Sequence, residues 1–147
     1  MNTKQQLENA LKDAMRNKDE VRKRTIRNTL SDIKLAEVEK KRVLTDAEVL
    51  AIIQKEVKEQ QDVIEESLRA DRPDLAEKAE EEMAILKEFL PAQLSEDELQ
   101  DLTQQVIDEV GATSVRDMGK VMKVLIPRLE GRATGQEASQ MVRKLLQ

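Results

Sequence analysis

The sequence predicts an all-α protein with a larger N-terminal helical unit at residues 1–92 and a small three-helix bundle at residues 93–147. Apolar residues recur at the spacing of an α-helix along almost the whole chain, and no stretch alternates with the period of two expected of a half-buried strand. Charged residues make up 37% and apolar residues 39% of the chain, a balance typical of a globular helical protein. Phe89 is the only aromatic residue, so the core has to be aliphatic.

Four helices are predicted in the N-terminal unit. A capping box of Thr45 and Glu48 marks the start of the third helix, and Pro73 suits the first turn of the fourth. The helices are expected at about residues 3–17, 19–41, 45–68 and 73–90. The residues expected to face inward include Leu7, Leu11, Ala14, Met15, Ile26, Leu30, Ile33, Leu50, Ile53, Val57, Ile64 and Leu68.

Three helices are predicted in the C-terminal unit. Pro91 separates them from the fourth helix, because proline donates no backbone hydrogen bond and restricts the residue before it. A capping box of Ser95 and Glu98 opens the first of the three, and Gly111 ends it. The remaining signals are an expected cap at Ser114, an end or kink at Pro127, and another capping box at Thr134 and Glu137.

Charge is distributed unevenly along the chain. The net charge is -5, but residues 1–44 carry +5, residues 45–91 carry −8, residues 92–111 carry −6 and residues 112–147 carry +4. Both ends are therefore basic and the middle is acidic, which leaves nucleic-acid binding open despite the negative total.

The composition excludes several kinds of chemistry. The chain has no His, Cys, Trp or Tyr, so it lacks an imidazole base, a thiol nucleophile and the nitrogen and sulfur ligands of zinc. We expect no catalytic residue, no metal and no cofactor. The acidic run at Glu80, Glu81 and Glu82 is expected to be a solvated surface, because consecutive helical residues point about 100° apart. No apolar run has the length of a signal peptide or a membrane span, which predicts a soluble cytoplasmic protein.

The sixth helix combines an apolar arc with a basic one. At about 100° per residue, Arg116, Lys120 and Lys123 fall within a sector of about 60°, and Arg128 and Arg132 follow in the next connection. These five cations are candidate ligands for nucleic-acid phosphates, although a face that is merely solvated explains them too. The opposing apolar arc is expected to comprise Val115, Met118, Val121, Met122, Leu125 and Ile126.

A second basic stripe lies on the long second helix. Lys23, Arg27 and Lys34 project within about 40° of one another, together with Lys41, and Arg22 and Arg24 flank them. This stripe is a secondary candidate for nucleic-acid binding, with the same alternative of a solvated face.

Several segments resemble the YqeY family. They are KEFLPAQLSEDEL at 87–99, VGATSVRDMGKVMKVLIPRLEGRATG at 110–135, and Ile26 with Arg27 in the second helix. Members of this family are stand-alone bacterial proteins similar to the C-terminal tail domain of the B subunit of tRNA-dependent Asp/Glu amidotransferase, a tail associated with holding tRNA. The resemblance covers essentially the whole chain and implies two helical parts.

Within the resemblance, the family block falls on residues 117–122 and on Gly131, Ala133 and Gly135. This chain reads GRATG where the family commonly reads GKADG. Arg132 keeps the positive charge of the family's lysine, and Thr134, which replaces the family's aspartate, keeps a helix cap. The replacement argues against a catalytic acid at position 134. Gly119, inside the predicted sixth helix, is expected to let another helix approach closely.

Three functions remain open from the sequence. The first is binding of tRNA or another structured RNA. The second is a protein adaptor that docks on an amidotransferase or a translation-related protein without RNA contact. The third is an independent amide-transferring enzyme, which the resemblance disfavours because the kinase and transamidase chemistry of the amidotransferase sits in a cradle domain that this chain lacks.

Overall fold

The computed structural model describes all 147 residues, with seven α-helices and no strand, which confirms the predicted all-α fold. The helices form two compact units, Met1–Leu90 and Pro91–Gln147, whereas the sequence indicated a division after residue 92. The first unit contains α1 (Thr3–Arg16), α2 (Glu20–Lys40), α3 (Asp46–Arg69) and α4 (Pro73–Lys87), and the second contains α5 (Glu96–Val110), α6 (Met118–Leu129) and α7 (Gly135–Leu146).

Capping residues define most helix starts. The capping boxes predicted at Thr45 and Ser95 are both formed, each with the glutamate three residues later. A further box at Asn2 and Gln5, which the sequence reading missed, opens α1. Gly111 ends α5 as predicted, in the left-handed conformation at φ 72° that glycine adopts without strain.

The N-terminal unit has an aliphatic core that its four helices share. Its buried residues are Leu7, Ile26, Ile33, Leu44, Val49, Ile53 and Leu86. A smaller cluster of Ile64, Ala76 and Ala79 joins α3 to α4 beyond this core. Two residues expected to face inward do not: Met15 is 52% and Leu68 58% exposed, because each lies at the margin of its helix's apolar arc.

The C-terminal unit is a three-helix bundle with a short 3-10 helix, Val115–Asp117, before α6. Its buried core residues are Leu99, Val106, Ile107, Val121, Leu125, Leu129, Ala133, Ala138, Met141 and Val142. Thr103 lies in the same interior, fully buried, and its hydroxyl has no hydrogen-bond partner.

The start of α6 differs from the prediction. Ser114 makes no side-chain cap. Instead, the Asp117 carboxylate accepts a hydrogen bond from the Thr113 backbone N–H at 2.9 Å, and the chain passes through the 3-10 helix before α6 begins. Two members of the expected apolar arc are exposed: Val115, in the 3-10 helix, by 41%, and Ile126, near the end of α6, by 43%.

The end of α6 and the start of α7 also differ in detail. Pro127 does not end α6, which continues to Leu129, because a proline in the last turn removes only one backbone hydrogen bond. Thr134 caps α7 by accepting from the Glu137 N–H at 3.1 Å. The Glu137 carboxylate, however, accepts from the Thr134 hydroxyl, so half of the predicted capping box is formed.

Gly119, in the first turn of α6, is exposed, and an added Cβ would meet nothing within 4 Å. The expected close approach of another helix at Gly119 is therefore wrong.

Candidate nucleic-acid interface

The exposed side of α6 carries two unpaired lysines. Val121 and Leu125 on the opposite side are fully buried, which fixes the rotation of the helix and turns Lys120 and Lys123 outward. Both lysines are exposed, and neither forms an ion pair within 4 Å. This arrangement leaves both ammonium groups available to an anionic ligand.

Arg116 belongs to the 3-10 helix and not to α6, so the angle calculated for one continuous α-helix does not apply to it. The residue is exposed and has no ion-pair partner. Asp117 separates it from α6. Hydrogen bonds from the backbone N–H groups of Thr113 and Ser114 lower the pKa of Asp117, and the nearby charge of Lys120 adds to this effect. We call Arg116, Lys120 and Lys123 the α6 face.

Arg128 is already engaged within the bundle. Its guanidinium donates to the Glu109 carboxylate of α5 at 2.5 Å. This hydrogen bond is the main cause of the lowered pKa of Glu109 and of the raised pKa of Arg128. Both side chains of this ion pair are exposed, so the pair contributes little stability. It nevertheless engages Arg128, which the sequence offered for phosphate binding.

Arg132 holds the chain that leads into α5. Its Nε donates to the Ala92 carbonyl at 3.0 Å, and its own carbonyl accepts from the Leu94 N–H at 2.9 Å. The Glu98 carboxylate lies 3.9 Å from its guanidinium. Arg132 is therefore a positioning residue for the entry to α5, and it is not one of the unpaired cations.

The basic stripe of α2 is only partly paired with acids, whereas both arginines that flank it are paired. Arg27 and Lys34 are exposed and have no ion pair, but Lys23 is half-buried and lies 3.6 Å from Glu20. The flanking arginines form ion pairs with residues of α4 and of the turn after it. Arg22 lies 2.5 Å from the Glu88 carboxylate, and its guanidinium is 5.9 Å from the centre of the Phe89 ring. Arg24 lies 3.2 Å from the Glu82 carboxylate.

The same contacts correct the interpretation of the acidic run on α4. Glu80 and Glu81 are exposed, as expected of a solvated surface. Glu82 is partly buried and accepts hydrogen bonds from Arg24 and from the Gln60 side-chain amide at 3.0 Å. Glu82 thus joins α2, α3 and α4, a role that the charge run alone did not indicate.

A partly buried carboxyl on α3 was missed by the sequence reading. Glu56 accepts a 2.6 Å hydrogen bond from the hydroxyl of the fully buried Thr29. Burial is the main cause of a pKa raised to about 7, and the carboxyl of Asp32 adds to it. The sequence did contain a sign that Glu56 is partly buried, because it lies three residues after Ile53 and so on the apolar arc of α3.

An open groove lies in the C-terminal unit where the first turn of α5 meets α7. Leu94, Leu99 and Met141 form its apolar floor, and Glu96, Glu137 and Lys144 are among its polar borders. Its volume is about 310 Å³. Met141 is 6% exposed and belongs to the core, as do the partly buried Met118 and Met122.

Neither metal-binding nor membrane-spanning features are found. No group of three or more acidic, histidine or cysteine side chains is placed to hold a metal ion. None of the seven helices combines the length and the apolar character that crossing a bilayer requires.

These features define an all-helical protein of two units with an unpaired basic face on the smaller one. The chain belongs to the YqeY family, because the family model described as Yqey-like protein matches residues 4–146. The resemblance seen in the sequence is thereby confirmed.

Three curated relatives of this chain are fungal proteins. A protein of Pyrenophora tritici-repentis named altered inheritance of mitochondria protein 41, mitochondrial, is 31% identical over 130 residues, 86% of this chain and 71% of that protein. A protein of Vanderwaltozyma polyspora with the same name is 39% identical over 85 residues, 57% of this chain and 46% of that protein. An uncharacterized protein of Schizosaccharomyces pombe is 36% identical over 85 residues, 58% of this chain and 69% of that protein. Two of these names place their proteins in mitochondria, so a bacterial and cytoplasmic setting stays an expectation for this chain.

Proposed function

We propose that this protein is a non-catalytic module that binds tRNA or another structured RNA through the α6 face. The observation that carries the proposal is that Arg116, Lys120 and Lys123 are all exposed and free of ion pairs, whereas the other candidate cations of the same unit, Arg128 and Arg132, are engaged. Unpaired cations gain most from phosphates, because binding breaks no existing ion pair and releases counterions from the RNA.

The composition restricts how the RNA is recognised. Phe89 is the only aromatic residue, and it packs against the core of the N-terminal unit. The chain therefore offers no platform on which bases stack, and recognition rests on phosphates, 2′-hydroxyl groups and RNA shape.

The number of free cations predicts the salt dependence. Three neutralised phosphates correspond to a slope of about −2 to −3 in log K against log salt, so raising salt from about 50 to 200 mM weakens binding roughly 20- to 40-fold. A phosphate contact from Arg128 or Arg132, which the sequence also offered as phosphate ligands, would make the slope steeper. A titration of the protein with bulk tRNA at several salt concentrations measures the slope.

Charge reversal of the α6 face tests the site. Replacing Arg116, Lys120 and Lys123 together by Glu is expected to abolish tRNA binding with little change in helix content or melting, because exposed substitutions usually change stability little. The matched control is the same reversal at Lys23, Arg27 and Lys34, which changes net charge equally and is expected to retain most binding. Equal loss in both variants would mean that only bulk charge matters.

The groove beside α5 and α7 favours a second candidate, a protein adaptor. Its apolar floor at Leu94, Leu99 and Met141 suits an aliphatic side chain of a partner such as an amidotransferase subunit or a translation-related protein. Undetectable tRNA binding by the unmodified protein, even at low salt, would give this candidate the lead. Glutamine- and ATP-dependent amide transfer by the purified chain would contradict both candidates.

A further inference from the structure

The Glu56 carboxyl lies between α2 and α3 with few hydrogen-bond donors around it. Its Oε2 accepts from the Thr29 hydroxyl at 2.6 Å. Its Oε1 is buried, and no N–H or O–H group of the chain donates to it. An ionised carboxylate needs donors at both oxygens when it is removed from water, so this site is poor for a charged Glu56.

The second group of α2 that acts on this carboxyl is another acid. The carboxyl of Asp32, which is exposed one turn after Thr29 on α2, raises the pKa of Glu56. Two carboxylates repel each other and neither can donate. A single proton on Glu56 removes the repulsion, supplies a donor to Asp32 and leaves Oε2 free to accept from Thr29.

No cation compensates the pair. The other acid that acts on Glu56 is Glu59, on its own helix. On α4, Glu82 faces the next turn of α3, where Arg24 of α2 and Gln60 are bound to it. On α1, Lys4 is paired with Glu37 at 2.9 Å. The charged groups around the contact therefore favour protonation of Glu56.

We propose that the Glu56 carboxyl, whose buried Oε1 has no donor, holds a proton in the folded protein, which makes the contact between α2 and α3 a proton-dependent clamp that weakens as the pH rises toward neutrality. This inference is independent of RNA binding, because none of its residues belongs to the α6 face.

The direction of the effect follows from proton linkage. The pKa of Glu56 is raised from 4.5 to about 7 in the folded state, so the folded protein holds more protons than the unfolded chain between these two values. The free energy of unfolding of the N-terminal unit therefore falls as the pH rises from about 4.5 to 7. Above about pH 7, Glu56 causes no further change in it. The partial exposure of Glu56 reduces the full effect, and we expect the unfolding constant to rise on the order of 10- to 100-fold across the window.

The first test measures the proton directly in the unmodified full-length protein. A carbon-13 NMR titration of the Glu56 carboxyl carbon is expected to give a midpoint near neutral pH. A Glu56 midpoint at the ordinary value of a glutamate would overturn the proposal, and this measurement requires no variant to fold.

The second test uses Glu56→Gln, whose amide imitates the protonated acid because its oxygen accepts from Thr29 and its NH₂ donates to Asp32. Urea unfolding is followed through the amide NMR signals of residues 1–90. The variant is expected to match the unmodified protein at about pH 5 and to be at least 10-fold more stable in unfolding constant at about pH 8. The matched control is Glu66→Gln on the exposed side of α3, expected to parallel the unmodified protein at both pH values. An offset for Glu56→Gln that is equal at the two pH values would contradict the clamp and indicate a merely structural role.

Discussion

The α6 face and the basic stripe of α2 look alike in sequence but differ in what surrounds them. On α2, Lys23 and the flanking Arg22 and Arg24 have acidic partners, two of which belong to the acidic region at residues 45–91. Only Arg27 and Lys34 of the site residues on that helix are exposed without an ion pair. In the C-terminal unit, the three cations of the α6 face have none, although residues 92–111 carry −6. The acids of α5 instead bind Arg128 and approach Arg132. A run of cations therefore predicts a binding surface only when the tertiary structure leaves it without acidic partners.

The largest expected effect concerns the core beneath the α6 face. Leu125, on the side of α6 opposite Lys120 and Lys123, is fully buried, so Leu125→Ala should destabilise the C-terminal unit by about 2–5 kcal/mol. Urea unfolding followed through amide signals of residues 91–147 measures this. RNA binding should disappear together with the folded unit, and binding that survives its unfolding would remove the α6 face from the interface.

Two buried threonines should respond in opposite directions. Thr103→Val removes a hydroxyl that has no partner and should stabilise the C-terminal unit by about 1 kcal/mol. Thr29→Val removes the donor to Glu56 and should destabilise the N-terminal unit by about 1–3 kcal/mol.

Both variants conserve shape, so unfolding curves of the two units compare them directly. A stability loss in Thr103→Val would mean that its hydroxyl is satisfied, and the contrast between the two interiors would then fail.

A smaller effect is expected at Gly119, on the surface that carries the α6 face. Because an added Cβ meets nothing and the backbone there is helical, Gly119→Ala should stabilise the C-terminal unit by up to about 1 kcal/mol. Tm and tRNA affinity are the readouts, with the affinity expected to stay unchanged. Weakened RNA binding would show that the RNA backbone approaches this glycine closely.

The smallest effect sharpens the comparison of the two basic surfaces. Glu109→Gln weakens the hold on Arg128 and should strengthen tRNA binding about two- to fourfold, with a salt slope steeper by up to about one. Glu82→Gln is the matched control, since it weakens the hold on Arg24 of the α2 stripe. An equal gain in both variants would make the two surfaces equivalent and contradict the assignment to α6.

Three of the capping signals read from the sequence were accurate. Thr45, Ser95 and Gly111 act as predicted because a cap is a contact between residues three or four apart. Several errors lie around α6, where the 3-10 helix at 115–117 removes Val115 and Arg116 from the periodicity of the helix that follows. A periodicity calculated for one uninterrupted helix does not detect such a turn.

The sequence by itself determined the all-α class, the break at Pro91, the aliphatic core and the exclusion of imidazole and thiol chemistry. The tertiary structure alone decided which charges remain free. Arg22 meets Glu88 66 residues away, Arg132 meets the Ala92 carbonyl 40 residues away, and Arg128 meets Glu109 19 residues away. The reason is range: helical periodicity and caps are encoded within one or two turns, whereas an ion pair or the protonation of Glu56 depends on which helices the fold brings together.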